Sequence, residues 1–355
     1  MKKRLLVAIG VTVAVAGLGS ASALASSARH AANADVCVLL PDSKSSVRWE
    51  TQDRRFLAAS FKAAGISSTI VNAEGDAQKQ RSQADQCLTN GAKVILLVNL
   101  DSGSGAAIEK AAAAKGAKTI DYDRLTLKGS ASYYVSFDNV QVGRLEGLGV
   151  LNGIVTSGKY DKHPVVAYLN GSPTDNNATL FKQGYASILD PYIKAGIFKK
   201  GPDQAVPGWD NQKARTIFDQ MLVSTGNKID AVAAANDGLG NAAITAVQAK
   251  KLSAIPTSGQ DATAQGVQNV LAGWQSGTVY KPVQQEAAAA ATLAIALIQG
   301  KAAPTNGAVN DGVRNVPSVL LTPTWITPDN YTKLFTDGFL KKADVCQGVY
   351  AKYCK

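Results

Sequence analysis

An α/β protein made of two doubly wound halves is predicted by three observations. Short apolar runs alternate with helix-patterned stretches that end in glycine, the alternation restarts after Phe137, and polar side chains gather directly behind the apolar runs. Runs of four or five apolar residues suit strands buried on both faces of a parallel sheet, and their alternation with helices implies right-handed crossovers. A chain of 355 residues is long enough for two such units.

The first half opens with Val36-Cys37-Val38-Leu39-Leu40, stopped by Pro41-Asp42. A helix is expected over 49–64, ending at Gly65, then a strand over 68–71 and a helix over 77–90 before Gly91. A strand over 94–98, a helix over 105–115 before Gly116 and a strand over 119–122 continue the rhythm. The second half reads as a helix over 140–156, strand 165–169, helix 176–195, strand near 204–206, helix 211–224, strand 231–235, helix 239–250 and strand 257–259. A later helix is expected over 282–299, and the Pro/Gly/Asn-rich stretch 301–316 reads as a loop.

Composition removes several classes of function. Hydrophobic residues at 46% against charged residues at 18% exclude a mainly disordered chain. Two histidines, His30 and His163, leave little from which to build a histidine-rich metal site or a Ser-His-Asp hydrolase. At the N-terminus Lys2-Lys3-Arg4 precedes an apolar run over 5–19 and small residues ending in Ala23-Leu24-Ala25, the pattern of a secretory signal over residues 1–25. The run of about 15 residues is short for a bilayer span, which takes about 20. The first cysteine, Cys37, follows Ala34-Asp35-Val36, which does not support lipid attachment. Removal of the three basic residues lowers the formal charge from +10 to +7, too mild for a nucleic-acid partner.

Four cysteines in an exported chain favour two disulfides, with three possible pairings. Cys346 and Cys354 lie eight apart outside the main periodic elements, so closing that loop costs least entropy, and Cys37–Cys87 then follows. Buried free thiols are the alternative, whereas C-x2-C spacing for zinc is missing.

Ligands of open α/β sheets bind beyond the carboxyl ends of the strands. Behind the predicted strands stand Asp42, Lys44 and Arg48-Trp49; Asp121-Tyr122-Asp123-Arg124; Thr174-Asp175-Asn176-Asn177; Trp209; Asn236-Asp237; and Gln260-Asp261. Carboxylates accept, Arg and Lys donate and Asn does both, which suits sugar hydroxyls, while an aromatic ring covers the apolar face of a pyranose. Plainer roles compete: Asp175 or Asn176 as a helix cap, Asp123-Arg124 as a surface turn. Gly238-Leu239-Gly240-Asn241-Ala242-Ala243 matches G-x-G-x-x-A, with Asp261 at the separation of a ribose-binding acid. Polar Asn236-Asp237 before it, in an exported chain, argues against a dinucleotide, and a tight strand-to-helix turn explains the glycines better. No cofactor is expected.

The motifs Arg48-Trp49, Tyr122-Asp123-Arg124, Ser136-Phe137-Asp138-Asn139, Gly171-Ser172-Pro173-Thr174-Asp175-Asn176-Asn177, Gly208-Trp209, Asn236-Asp237, Ser258-Gly259-Gln260-Asp261 and Val279-Tyr280-Lys281-Pro282 together resemble the periplasmic sugar-binding proteins of bacterial ABC transporters, the D-xylose-binding branch most closely. The resemblance runs from Val36 to about Pro323 and implies a type I periplasmic-binding-protein-like clamp: two doubly wound parallel-sheet domains joined by a three-stranded hinge. Residues 35–137 plus 282–320 would form one lobe and 138–281 plus 321–355 the other. It further implies that Arg48, Asp123, Arg124, Asp175, Asn177, Asn236, Asp261 and Lys281 hydrogen-bond one monosaccharide, with Trp49 and Trp209 as apolar faces. The implied partners are xylose or a related sugar and a membrane permease, with no nucleic acid, for an exported monomer, periplasmic or extracellular and cell-surface associated. A receptor for chemotaxis or signalling is an alternative, as is a secreted carbohydrate-active enzyme, which would use paired acids such as Asp123 and Asp261. A sugar-responsive repressor of the same fold would need a DNA-binding helix-turn-helix where the signal segment stands.

Overall fold

The computed structural model describes residues 34–354, so the expected signal segment lies outside the described residues. The first lobe is built on β1 (Val36–Leu40), β2 (Ser68–Asn72), β3 (Val94–Leu97), β4 (Lys118–Tyr122) and β5 (Tyr133–Phe137), all parallel, in the order β2-β1-β3-β4-β5. Alternation along β1 explains the two layers of helix. Val36, Val38 and Leu40 face α1 (Arg54–Ala63) and α9 (Val283–Ile298), whereas Cys37 and Leu39 face α2 (Ala77–Thr89) and α3 (Ser102–Ala114).

The chain leaves this lobe after β5. Helix α4 (Asn139–Thr156) packs on α5 (Asn176–Lys194), and the second sheet is β7-β6-β8, from β6 (Val165–Asn170), β7 (Lys199–Ala205) and β8 (Ala231–Ala234). Helices α6 (Asn211–Ser224), α7 (Asp237–Ala249) and α8 (Ala264–Leu271) complete it, with β9 (Thr278–Tyr280) paired antiparallel to β12 (Thr324–Ile326). After Tyr280 the chain returns through α9 to the first lobe, and after Leu321 it crosses a third time into β12. Short helices α10 (Lys333–Thr336) and α11 (Lys342–Val345) and a final 3-10 turn follow. Among the described residues no helix is long and apolar enough to cross a membrane.

Three local expectations are corrected. Residues 301–316 are not a plain loop: β10 (Gly307–Asn310) pairs antiparallel with β11 (Asn315–Leu321), and β11 lies parallel to β5. The turn between them is fixed by Asp311, whose carboxylate accepts from the Val313 and Arg314 amides. Residues 257–259 form no full strand, only isolated bridges at Thr257 and Gln260. Gly238 and Gly240 lie in the first turn of α7 without positive φ, so the tight strand-to-helix turn does not explain them; at Gly240 a Cβ would meet the Ser258 carbonyl oxygen at 2.9 Å.

Both disulfides are formed in the expected pairing. Cys37–Cys87 ties β1, the strand next to the sheet edge, to α2, and Cys346–Cys354 closes the C-terminal tail.

Candidate functional site

The first lobe has strand order 2-1-3-4-5, which places a ligand crevice beyond the carboxyl ends of β1 and its neighbours. A small cavity of about 30 Å³ lies there between the lobes. All ten residues singled out from the sequence line it: Arg48, Trp49, Asp123, Arg124, Asp175, Asn177, Trp209, Asn236, Asp261 and Lys281. Ser45, Ser46, Phe181 and Gln260 line it as well, whereas Lys44 lies outside, on the neighbouring grooves.

Each side chain is presented by a local device. Asp123 follows β4 with φ 60°, an unfavourable backbone region held by its own partners: its carbonyl accepts from the Tyr134 and Ser136 hydroxyls and from Asn177 Nδ2. Asp175 does cap α5, accepting from the Asn177 amide, and the same carboxylate accepts from Trp209 Nε1 at 3.1 Å and lies 3.0 Å from Arg124 Nε. Capping and cavity lining are therefore not rivals. Asn236 behaves likewise, accepting from the Leu239 amide while its Nδ2 donates to the Ser45 carbonyl across the cleft. The Trp209 ring lies directly on Gly171, where a Cβ would fall 2.0 Å from the ring, so only glycine admits the indole.

Charge is concentrated and balanced. Arg48, Arg124 and Lys281 face Asp123, Asp175 and Asp261 in the lining, all of them buried. Arg48 donates to Asp53, Asp123 and Glu286, and its guanidinium sits 4.6 Å from the Trp49 ring centre. Burial opposes its charge, but Asp53, Asp123 and Glu286 outweigh that and raise it well above its usual value. Burial also pushes the Asp123 carboxyl up, but Lys281, Arg48 and Arg124 together hold it below the usual carboxylate range. For Asp175 burial exceeds the pull of Arg124 and the carboxyl is raised. Lys281 stands between the lobes, 3.2 Å from Asp261 and 3.7 Å from Asp123.

The lobes also touch each other directly. Arg124 meets Asp175, Asn177 Nδ2 donates to Asp123, and Ser46 Oγ donates to Asp261 at 2.8 Å. What the arrangement offers a ligand is a small space with hydroxyl-matching donors and acceptors, zero net lining charge and aromatic faces from Trp49, Phe181 and Trp209. Phe181 is one helical turn after Asn177 on α5, so an i, i+4 reading from Asn177 would have found it. Among the described residues no cluster of His, Cys, Asp and Glu suited to a metal ion occurs.

Comparison with known proteins gives concordant matches. The model of the periplasmic binding protein domain matches residues 10–302. A D-xylose-binding periplasmic protein of Escherichia coli is 33% identical over 90% of this chain and 94% of its own length. A multiple sugar-binding periplasmic receptor of Rhizobium radiobacter is 31% identical over 85% of this chain and 89% of its own. Among solved structures, an ABC transporter solute-binding protein from Clostridium phytofermentans with bound β-D-glucose superposes with a TM-score of 0.80 at 28% identity, covering 87% of this chain and 99% of that one.

Proposed function

This chain belongs to the periplasmic binding protein family, and from that premise we propose that it captures one neutral monosaccharide, D-xylose first among the candidates, and delivers it to the membrane permease of an ABC transporter. The observation that carries this reading is a small cavity lined from both lobes by three cations, three carboxylates, amides and indoles. Balanced charge favours an uncharged ligand, since a phosphate or carboxylate would leave Asp123, Asp175 and Asp261 without compensation. The xylose assignment leans on relatives named for that sugar, and the glucose-bound structural neighbour makes hexoses the next candidates. Delivery to a permease puts the protein outside the cytoplasmic membrane, in keeping with its basic and apolar first 25 residues and its two disulfides.

Glycosidase chemistry is the weaker reading. Asp123 and Asp261 share the Lys281 ammonium, and Asp123 is held ionised by it and by two arginines, which leaves it unsuited to general-acid work. Calorimetry of the mature protein against xylose, arabinose, ribose, glucose and galactose tests the proposal. Heat with no turnover is expected; silence across the panel would exclude the sugar reading, and product on chromatography would exclude the binder reading.

Asp261→Ala and Asn177→Ala are each expected to weaken sugar binding about tenfold to a hundredfold with the fold intact, because a deleted partner strands a buried hydroxyl at about 1–3 kcal/mol. Unchanged affinity in both variants would place the ligand elsewhere. Sugar is also expected to draw the lobes together about the three crossings near Phe137-Asp138, Tyr280-Lys281 and Leu321-Thr322, since only the closed form offers both walls of the cavity. Small-angle scattering checks this: a radius of gyration unchanged at saturating sugar would argue against a clamp.

A further inference from the structure

Asp237, the first residue of α7, lies behind the cavity wall and does not line the cavity. It is buried, and its carboxylate accepts four hydrogen bonds: Thr263 N and Oγ1 reach Oδ2 at 2.8 and 2.9 Å, while Gln275 Nε2 and Thr278 Oγ1 reach Oδ1, each at 2.8 Å. Thr278 lies on β9, whose Val279 carbonyl accepts from the Asp261 amide, and Thr263 ends the segment that carries Asp261. Within it Asp261 and Ala262 both have positive φ, 90° and 46°, a region that costs a non-glycine residue about 1–3 kcal/mol unless the surroundings enforce it. Thr278 Oγ1 accepts from the Ala262 amide and Thr263 Oγ1 from the Gly266 amide, so both hydroxyl protons are directed at Asp237.

We propose that Asp237 is a positioning residue for ligand capture, its ionised carboxylate holding the strained Asp261-Ala262 turn in the form that presents Asp261 to the cavity. The proposal rests on the sugar-binding reading. Protonation would replace one acceptor by a donor, leave a hydroxyl proton without a partner and release one side of the turn. Burial pushes this carboxyl up to about 7, against the hydrogen bonds from Gln275, Thr278 and Thr263 and with a further push from Asp261. The charged groups facing this region are Asp261 on the turn, Lys281 paired with it beyond β9, and Glu146 on α4, itself raised by burial. Since the ionised form is the competent one, affinity rises with pH through this range, and ligand binding near pH 6.5 expels protons.

Calorimetry of the mature chain with D-xylose, or with the tightest sugar of the panel, tests this at pH 5.5, 6.5 and 8.0 in buffers of different ionisation enthalpy. Wild type is expected to bind about tenfold more weakly at pH 5.5 than at 8.0 and to release protons at 6.5. Asp237→Asn is expected to bind at least about tenfold more weakly at pH 8.0 and to lose both the pH dependence and the proton release. Wild-type affinity in Asp237→Asn, or weak binding with the wild-type pH profile intact, overturns the proposal. Amide hydrogen exchange of Asp261 and Ala262 in the free protein gives a readout independent of any ligand: it is expected to quicken about tenfold or more in Asp237→Asn, and no change overturns the proposal. If no sugar binds to wild type, the sugar reading fails while the exchange measurement still decides the role of Asp237 on the turn. Should Asp237→Asn not fold, Thr278→Val removes one donor to Asp237 and the acceptor for the Ala262 amide; unchanged exchange and affinity there overturn the proposal equally.

Discussion

Arg48→Ala is expected to destabilise the free protein by about 3–5 kcal/mol and to abolish ligand capture. The guanidinium donates to Asp53, Asp123 and Glu286 together, each of them buried, and Tyr122 adds its hydroxyl to Asp53 in the same network. Its removal leaves three carboxyl groups in low dielectric without their common partner, and the cost is set by that stranded charge more than by the lost contacts. Arg48→Lys is expected to recover only part, since one ammonium cannot reproduce the fork that places Nε and Nη2 on Asp53 and Nη1 on Asp123. Denaturant unfolding of the ligand-free protein measures the first effect and calorimetry the second. A loss below about 1 kcal/mol would mean that this network contributes no more than an exposed ion pair.

Replacing Cys37 and Cys87 together by alanine is expected to cost about 4 kcal/mol, against about 2.5 kcal/mol for the Cys346–Cys354 pair. The first bridge spans 50 residues and the second 8, and the entropy removed from the unfolded chain grows with the logarithm of the closed loop. Position adds to the difference: Cys37 is fully buried within β1, whereas the second pair closes a tail at the end of the chain. Thermal unfolding of the two double variants side by side gives the comparison, and a larger loss from the C-terminal pair would reverse the argument. Peptide mapping without reduction checks the pairing itself.

The βαβ rhythm was legible because buried parallel strands leave continuous apolar runs such as Val94–Leu97, and because helix after helix stops at a glycine. The edge pair β10 and β11 was not, since β10 is mostly solvent-facing and its Gly-Ala-Val-Asn sequence carries neither an apolar run nor a clean alternation. Strand β5 is not among the strands the pattern predicts, although Phe137 marks the point where the alternation restarts. At the site, residues directly behind strands were found by position alone. Ser45 and Ser46 were not, because the turn that brings them in depends on Asp42 accepting from the Lys44 and Ser45 amides, a local geometry that leaves no periodic trace. The role of Asp237 is likewise invisible in sequence, being defined by four donor atoms on Thr263, Gln275 and Thr278, 26 to 41 residues further along the chain.

The direct bonds between the lobes, Arg124 to Asp175, Asn177 to Asp123, Ser46 to Asp261 and Asn236 to the Ser45 carbonyl, have a kinetic consequence. They join protein to protein, so their strength does not depend on which molecule is enclosed. An enclosed ligand leaves only after these bonds part, and the parting step is common to every ligand. Residence times of different sugars should therefore span a narrower range than their affinities, with discrimination expressed in how readily each one triggers closure after its first encounter.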